Sequence, residues 1–395
     1  MSEAVVVIGA GQAAAQLALS LRQGGYAAPI RIVGDEGHIP YQRPPLSKEF
    51  LAKYRDPSAL FLRPESFWRE KDVTLDLGTA VAQVEPDQRR VTLADGREIE
   101  YGTLAFATGT SARIPPLPGI TLPGVFSLRK IADVEQLRPA LNAARRVVIV
   151  GGGYIGLEVA AVTVSEGREV IVLEMEDRAL KRVAGPATST FFDTYHRGRG
   201  VDIRLGARLT AIEGDERAKS VRLASGESLA ADLVLVATGA CANDELAAAA
   251  KLACQDGILV DEFARTSAPG IYAIGDCTRF PSRRYGRRVR LESVQNAIDQ
   301  AKAAAGAILG KPQPYDPVPW FWSDQYDIKL QIAGIAEGFD SAEVVGDPAS
   351  NRFAVEYRCG GRLIAVDAVN DGRAHMMSRR RIAEETAAEA APARA

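Results

Sequence analysis

Two glycine-rich turns hold the spacing that could do chemistry. The first, Gly9-Ala10-Gly11-Gln12-Ala13-Ala14, follows the apolar run Ala4 to Ile8 and precedes the periodic apolar residues Leu17, Ala18, Leu19 and Leu21. The second, Gly151-Gly152-Gly153-Tyr154-Ile155-Gly156, follows Arg146 to Val150 and leads into Leu157 to Val164. A strand, a glycine turn and a helix in that order present free backbone N–H groups and the positive end of a helix dipole, which together bind a pyrophosphate. Gly9 permits the tight turn, Gly11 lets the backbone approach the phosphates, and Ala14 is small enough for helix and strand to pack closely. Each turn is followed by a second strand that ends in an acid. Ile30 to Val33 runs to Gly34-Asp35-Glu36, and Val170 to Leu173 runs to Glu174. A carboxylate there accepts hydrogen bonds from an adenosine ribose, with Asp35 the first choice and Glu36 the alternative. Glu174 suits the free 2'-hydroxyl of NADH and repels the 2'-phosphate of NADPH. Arg178, Lys181 and Arg182 downstream keep NADPH as the alternative. One glycine motif is often a tight turn and nothing more; two in matching context argue for two nucleotide sites.

Other residue types narrow the chemistry by exclusion. Cys241, Cys254, Cys277 and Cys359 are too widely spaced for a metal knuckle or a redox pair and are expected to be reduced thiols. With His38, His196 and His375 the only histidines, no metal site is expected. The net charge of −2, from 48 Lys+Arg against 50 Asp+Glu, provides no overall field for nucleic acid or an anionic membrane. An opening strand at Ala4 to Ile8 leaves no room for a secretory signal, and no apolar run is long enough to span a bilayer, so a cytoplasmic location is expected.

The elements that must position these groups are legible from patterning. A chain of 395 residues, 47% hydrophobic, is long enough for two or three cores. The strands Thr103 to Ala107 and Leu233 to Ala237 end alike, at Thr108-Gly109 and Thr238-Gly239, and mark candidate crossings around an inserted second nucleotide domain. Gly270 to Ile274 reads as a buried strand delivering Gly275-Asp276, where a bare backbone lets a carboxylate reach a ribitol hydroxyl; a simple Gly-Asp turn is the alternative. The Ala-rich stretch Glu292 to Leu309 reads as a helix whose first N–H groups, near Val294, would face the pyrimidine edge of a flavin. After Pro317 the period changes. Lys329 to Ile335, Phe353 to Tyr357 and, past Gly360-Gly361, Leu363 to Val369 read as an antiparallel sheet. Arg279, Arg283, Arg284, Arg287, Arg288 and Arg290 form a dense cluster, either a solvated loop or a docking patch for an acidic partner, which Arg379-Arg380-Arg381 extends or flanks. The end, Ala383 to Ala395, shows no core pattern and is expected to be a frayed tail.

The segments Arg43-Pro44-Pro45-Leu46-Ser47-Lys48, Gly151 to Glu158, Gly275-Asp276-Cys277 and Trp320-Phe321-Trp322-Ser323-Asp324-Gln325 are more specific than either glycine motif. With them the chain resembles, over nearly its whole length, the NADH-dependent ferredoxin reductases of bacterial oxygenase systems, within the glutathione-reductase-like flavoproteins. The resemblance implies an α/β fold of two Rossmann-like dinucleotide-binding domains, the NAD domain inserted in the FAD domain, with a C-terminal α+β interface domain. The expected segments are 1–108 and 238–316 for FAD, 109–237 for NADH and 317–395 for the interface. It also implies FAD contacts from Ala13, Asp35, Arg43, Lys48, Val81, Arg129, Asp276, Val294 and Trp320, joining Gly9, Gly11, Ala14, Thr108, Gly109, Gly275 and Glu292. Glu158 and Glu174 would line the NADH site with Gly151, Gly153, Tyr154, Ile155, Gly156 and Gly239, and Lys48 and Glu158 would meet beside the flavin as the catalytic pair.

With no closely spaced cysteines, electrons would pass from flavin directly to an outside carrier, a two-iron two-sulfur ferredoxin docked transiently at the arginine cluster. The protein is expected to be a monomer or weak dimer. The alternatives are a reductase for another carrier, in a rubredoxin or nitrite reductase system, and a flavin-binding interaction protein of the apoptosis-inducing-factor kind.

Overall fold

The computed structural model describes residues 3–53 and 56–390. The chain divides into two compact units, one of Met1–Gln42, Pro57–Ser111 and Cys241–Pro319, the other of Arg43–Asp56, Ala112–Ala240 and Trp320–Ala395.

In the first unit, the β-branched runs form a five-stranded parallel sheet. Its order is Ile271–Ala273, Thr103–Phe106, Val5–Ile8, Ile30–Gly34, Val73–Leu77. Val5, Val6 and Val7 are fully buried because both faces of a parallel sheet are covered. The helix Gln12–Gln23 lays Ala14, Ala18, Leu17 and Leu21 into a core shared with Ala297, Ala301 and Ala304 of the helix Val294–Ile308. Alanine on both helices permits this close approach. A three-stranded antiparallel sheet, Val81–Glu85, Arg90–Leu93 and Glu98–Glu100, lies in sequence between Val73–Leu77 and Thr103–Phe106.

The second unit repeats this plan. Its parallel sheet runs Val201–Arg204, Glu169–Leu173, Arg146–Val150, Leu233–Val236, Val125–Phe126, and its antiparallel sheet runs Leu209–Glu213, Ser220–Leu223, Ser228–Ala230. It also carries a five-stranded antiparallel sheet, ordered Trp320–Gln325, Ile328–Gly334, Arg362–Val369, Arg352–Cys359, Ser341–Asp347.

Several expectations need correction. The helix expected from Glu292 starts at Val294, because Ser293 caps it, its hydroxyl accepting the Asn296 N–H at 3.1 Å. Glu292 therefore precedes the helix and pairs with Arg290. The arginine-rich stretch is a β-hairpin, Thr278–Ser282 with Arg287–Val289, not an irregular loop. The expected frayed tail is helical as far as described, in Gly372–Ala390, while 391–395 lie outside the described residues. Its buried positions His375, Ser378 and Ile382 recur at helical spacing, but two of the three are polar, which hides the stripe from hydropathy. Two strands of the last sheet were also missed. Ser341–Asp347 is exposed along its whole length and so carries no alternation, and in Trp320–Gln325 the fully buried residues are Ser323 and Gln325.

Candidate functional site

In the first unit, the turn after Val5–Ile8 has Gly9 at φ +106°, where an added Cβ would lie 2.2 Å from the Ala107 carbonyl oxygen. No side chain larger than hydrogen fits. Gly11 has open space around its missing side chain and caps the helix without any side-chain hydrogen bond, so the helix begins with bare N–H groups. Gly275, at φ +80°, would place a Cβ 3.2 Å from that of Ala13, so the structure brings Ala13 and Gly275 together at the start of this helix. Thr108 is held by Asn243, its hydroxyl donating to the Asn243 carbonyl at 2.6 Å and its own carbonyl accepting the Asn243 side-chain amide at 2.9 Å. Gly109 follows at φ +65°. At the second strand end Asp35 is exposed, whereas Glu36 accepts the Tyr41 hydroxyl at 2.6 Å. Asp276 lies in the single turn Gly275–Cys277, Val294 opens its helix, and Val81 begins the antiparallel sheet.

The second unit repeats the turn. Gly151, at φ +111°, would put a Cβ 2.4 Å from the Ala237 carbonyl oxygen, and Gly156 would put one 2.0 Å from the Gly151 carbonyl oxygen. Gly153 caps the helix Tyr154–Ser165 without a side-chain hydrogen bond and has open space beside it; Ile155 is exposed. Glu174 is fixed by two backbone donors, Gly152 N–H at 2.8 Å and Glu176 N–H at 2.9 Å. Two of the three cations that kept NADPH in view are engaged: Arg178 donates to the Ala184 carbonyl and Ser189 hydroxyl, and Lys181 pairs with Glu176 and Asp177. Arg182 is the cation nearest Gly239, its Nη2 lying 2.8 Å from where a Cβ on Gly239 would be.

Lys48 and Glu158 do meet. Lys48 leaves the proline-stiffened turn Pro44–Ser47, and Glu158 projects from the helix after the glycine turn. Lys48 Nζ lies 2.8 Å from Glu158 Oε2, with the side chains 14% and 4% exposed. An ion pair this buried is costly to break, because either partner alone would be an uncompensated charge. Glu158 also accepts the hydroxyls of Ser47 and, at 2.6 Å, Ser323. Both serines escaped sequence reasoning although both stand in the quoted motifs, because a serine has no periodic signature of burial. Tyr154 stacks on Phe321 with ring centroids 4.5 Å apart, and burial pushes its phenol well up from the ordinary range. Arg43 donates to the Arg129 carbonyl at 2.8 Å, and the Arg379 guanidinium lies over the Trp320 ring at 5.2 Å.

Each unit thus offers a glycine turn that no Cβ could enter and a helix start whose N–H groups receive no side-chain cap from its glycine, the chemistry a dinucleotide pyrophosphate needs. Two such cradles fit FAD and NADH.

Comparison with known proteins agrees. Residues 3–301 match the model of the pyridine nucleotide-disulphide oxidoreductase family and residues 320–394 that of the reductase C-terminal domain. The ferredoxin reductase subunit of 5,5'-dehydrodivanillate O-demethylase from Sphingobium is 44% identical, over 96% of this chain and 93% of that protein. Among solved structures, the ferredoxin reductase for the CYP199A2 system of Rhodopseudomonas palustris superposes with a TM-score of 0.94 at 42% identity, covering 96% of this chain and 94% of the other. The covalent putidaredoxin reductase-putidaredoxin complex also gives 0.94, at 39% identity, covering 97% and 93%. The chain belongs to the pyridine nucleotide-disulphide oxidoreductase family, among the ferredoxin reductases, and carries the reductase C-terminal domain.

Proposed function

We propose that this protein takes a hydride from NADH and delivers its electrons one at a time to a two-iron two-sulfur ferredoxin that supplies a cytochrome monooxygenase or a ring-hydroxylating dioxygenase. Bound FAD supplies the chemistry of accepting electrons in pairs and releasing them singly, which no side chain possesses. The observation that carries the reading is the buried Lys48–Glu158 pair in a chain with two glycine cradles.

In this reading, segments 1–108 and 238–316 hold FAD, 109–237 take NADH and 317–395 form the interface domain. Gly9, Gly11, Ala13 and Ala14 hold the FAD phosphates and Asp35 the ribose. Arg43, Val81, Thr108, Gly109, Arg129, Gly275, Asp276, Glu292, Val294 and Trp320 hold the remainder. Gly151, Gly153, Tyr154, Ile155, Gly156 and Gly239 line the NADH path. The Lys48 ammonium stabilises negative charge developing on the flavin ring, and the Glu158 carboxylate favours the positively charged nicotinamide of the product. Glu174, held by two N–H groups, presents its charge to a 2'-hydroxyl and repels a 2'-phosphate.

The hairpin Thr278–Ser282 and Arg287–Val289 supplies the docking charge. Arg283, Arg287 and Arg288 are exposed, a local cationic field in a nearly neutral chain that would speed encounter with an acidic ferredoxin while leaving the complex short-lived. A monomer or weak dimer and a cytoplasmic location go with this reading; Cys241, Cys254, Cys277 and Cys359 stand as free thiols.

The test is to mix purified yellow protein with NADH under argon and follow flavin bleaching, then electron delivery to two-iron ferredoxins, with rubredoxin as the comparison carrier. Rapid bleaching and preferential ferredoxin reduction are expected. A colourless protein unable to take up FAD would end the proposal.

A further inference from the structure

The motif Trp320 to Gln325 contains two buried polar residues that electron delivery does not use. Ser323 and Gln325 face inward from one side of their strand, 0% and 1% exposed, and the equally buried His196 lies in the last turn of the helix Pro186–Arg197. They form a continuous chain. Tyr326 Oη is 3.1 Å from His196 Nδ1, His196 Nε2 is 2.8 Å from Gln325 Oε1, Gln325 Nε2 is 3.1 Å from Ser323 Oγ, and Ser323 Oγ is 2.6 Å from Glu158 Oε1.

The direction of every link follows from its end. A Glu158 carboxylate paired with Lys48 can only accept, so Ser323 must donate to it. The Ser323 oxygen then accepts from the Gln325 amide nitrogen, which turns the amide oxygen toward His196. His196 must therefore carry its proton on Nε2 and leave Nδ1 bare to accept from Tyr326. Burial holds the imidazole down at about 4, in its neutral form, so one nitrogen can donate while the other accepts.

We propose that His196, Gln325 and Ser323 are positioning residues, a one-way hydrogen-bond chain that holds Glu158 Oε1 while Ser47 and Lys48 hold Oε2. The inference rests on the reading of Lys48–Glu158 given above. The chain orients and does not conduct protons, because the Gln325 amide cannot hand one on. Without His196 the two ends of that amide are no longer distinguished. If the amide reverses, Ser323 donates to Gln325 and Glu158 loses a donor.

Two readouts test this in the holoprotein. With 15N-labelled histidine, the His196 ring is expected to show a protonated Nε2 and a bare Nδ1, assigned by its disappearance in His196→Phe. The opposite tautomer would overturn the chain. In stopped-flow reduction by NADH, Gln325→Glu gives His196 its acceptor yet offers nothing to Ser323. It is expected to slow reduction about tenfold, as Ser323→Ala should, the worth of one hydrogen bond to a charged group. The apparent NADH dissociation constant should hold, as should the flavin absorbance per chain, which reports folding. In a Glu158→Gln background the same changes should add nothing. If Glu158→Gln is itself as fast as the parent, the catalytic pair fails and this inference with it. If Glu158→Gln is slow but Gln325→Glu is not, or its effect is additive, the positioning chain alone is wrong.

Discussion

Glu174 shows how a single residue can serve two purposes. Its oxygens accept the Gly152 and Glu176 N–H groups, so it shapes the turn whose ligand it would also discriminate. Glu174→Ala should therefore reduce the NADH over NADPH preference by about tenfold, the worth of a charged hydrogen bond, while bound FAD is retained. Unchanged selectivity in steady-state assays with both nucleotides would show the ribose contact to lie elsewhere. Asp367 makes a separate prediction about stability. It is fully buried and accepts from Thr188 at 2.7 Å and Tyr357 at 2.6 Å, yet Oδ1 has no partner among the described residues, and burial raises the carboxyl to about 6. Its ordinary value is 3.8, so between these two values the folded state binds more protons than the unfolded state. Its contribution is thus most favourable below that window and is lost as pH rises through it, by at most about 3 kcal/mol. His196 and His375, each lowered from 6.5 to about 4, act in the opposite sense, losing stability as pH falls. The Asp367 effect must therefore be read as a difference. Urea unfolding of wild type and Asp367→Asn at about pH 4 and about pH 7 should show the wild type gaining relative to the variant at the lower pH.

Individual elements decide which arginines can be tested. Within the hairpin, Arg288 donates to the Val260 carbonyl at 2.8 Å, Arg284 reaches the Asp316 carbonyl, and Arg290 pairs with Asp256 and Glu292. Reversing those charges would disturb the unit as well as any docking surface. Arg283, whose side chain is 72% exposed and meets Glu262 at the surface at 3.4 Å, and the exposed Arg287 are better probes because of their exposure. Arg283→Glu with Arg287→Glu should slow ferredoxin reduction several-fold at low salt, less at high salt, and leave reduction of a small dye unchanged. Equal ferredoxin rates would remove the hairpin from the docking surface. The same elements show what patterning could and could not reveal. Both parallel sheets were legible because strands buried on two faces read as unbroken runs of Val, Ile and Leu. The strand Trp320–Gln325 was not, since its buried side is Ser323 and Gln325, and the helix Gly372–Ala390 hid behind His375 and Ser378. Lys48 and Glu158 were placed together by family resemblance; their spacing of 110 residues offers no local signal, and the two serines that complete the site had none.

At the scale of the molecule, the repeat of one plan makes the two cradles a controlled pair. Gly9 and Gly151 each follow the central strand of a parallel sheet, at φ +106° and +111°, and in each an added Cβ would strike a carbonyl oxygen, at 2.2 and 2.4 Å. The physical insult from alanine is therefore the same in both: a strained left-handed residue, costing more than about 1 kcal/mol, and a turn pushed away from its neighbour. The consequences should differ, because each turn is proposed to serve a different nucleotide. Gly9→Ala should yield protein with little bound FAD, seen directly as loss of the yellow colour per chain, and a melting temperature that recovers when FAD is added in excess, as binding to the folded state requires. Gly151→Ala should remain yellow, melt lower than the parent because of the same strain but without recovering when FAD is added, and need a higher NADH concentration to bleach the flavin. If both variants lost FAD alike, the two cradles would not be separate sites. If Gly151→Ala alone lost it, the assignment of the nucleotides to the two repeats would be reversed.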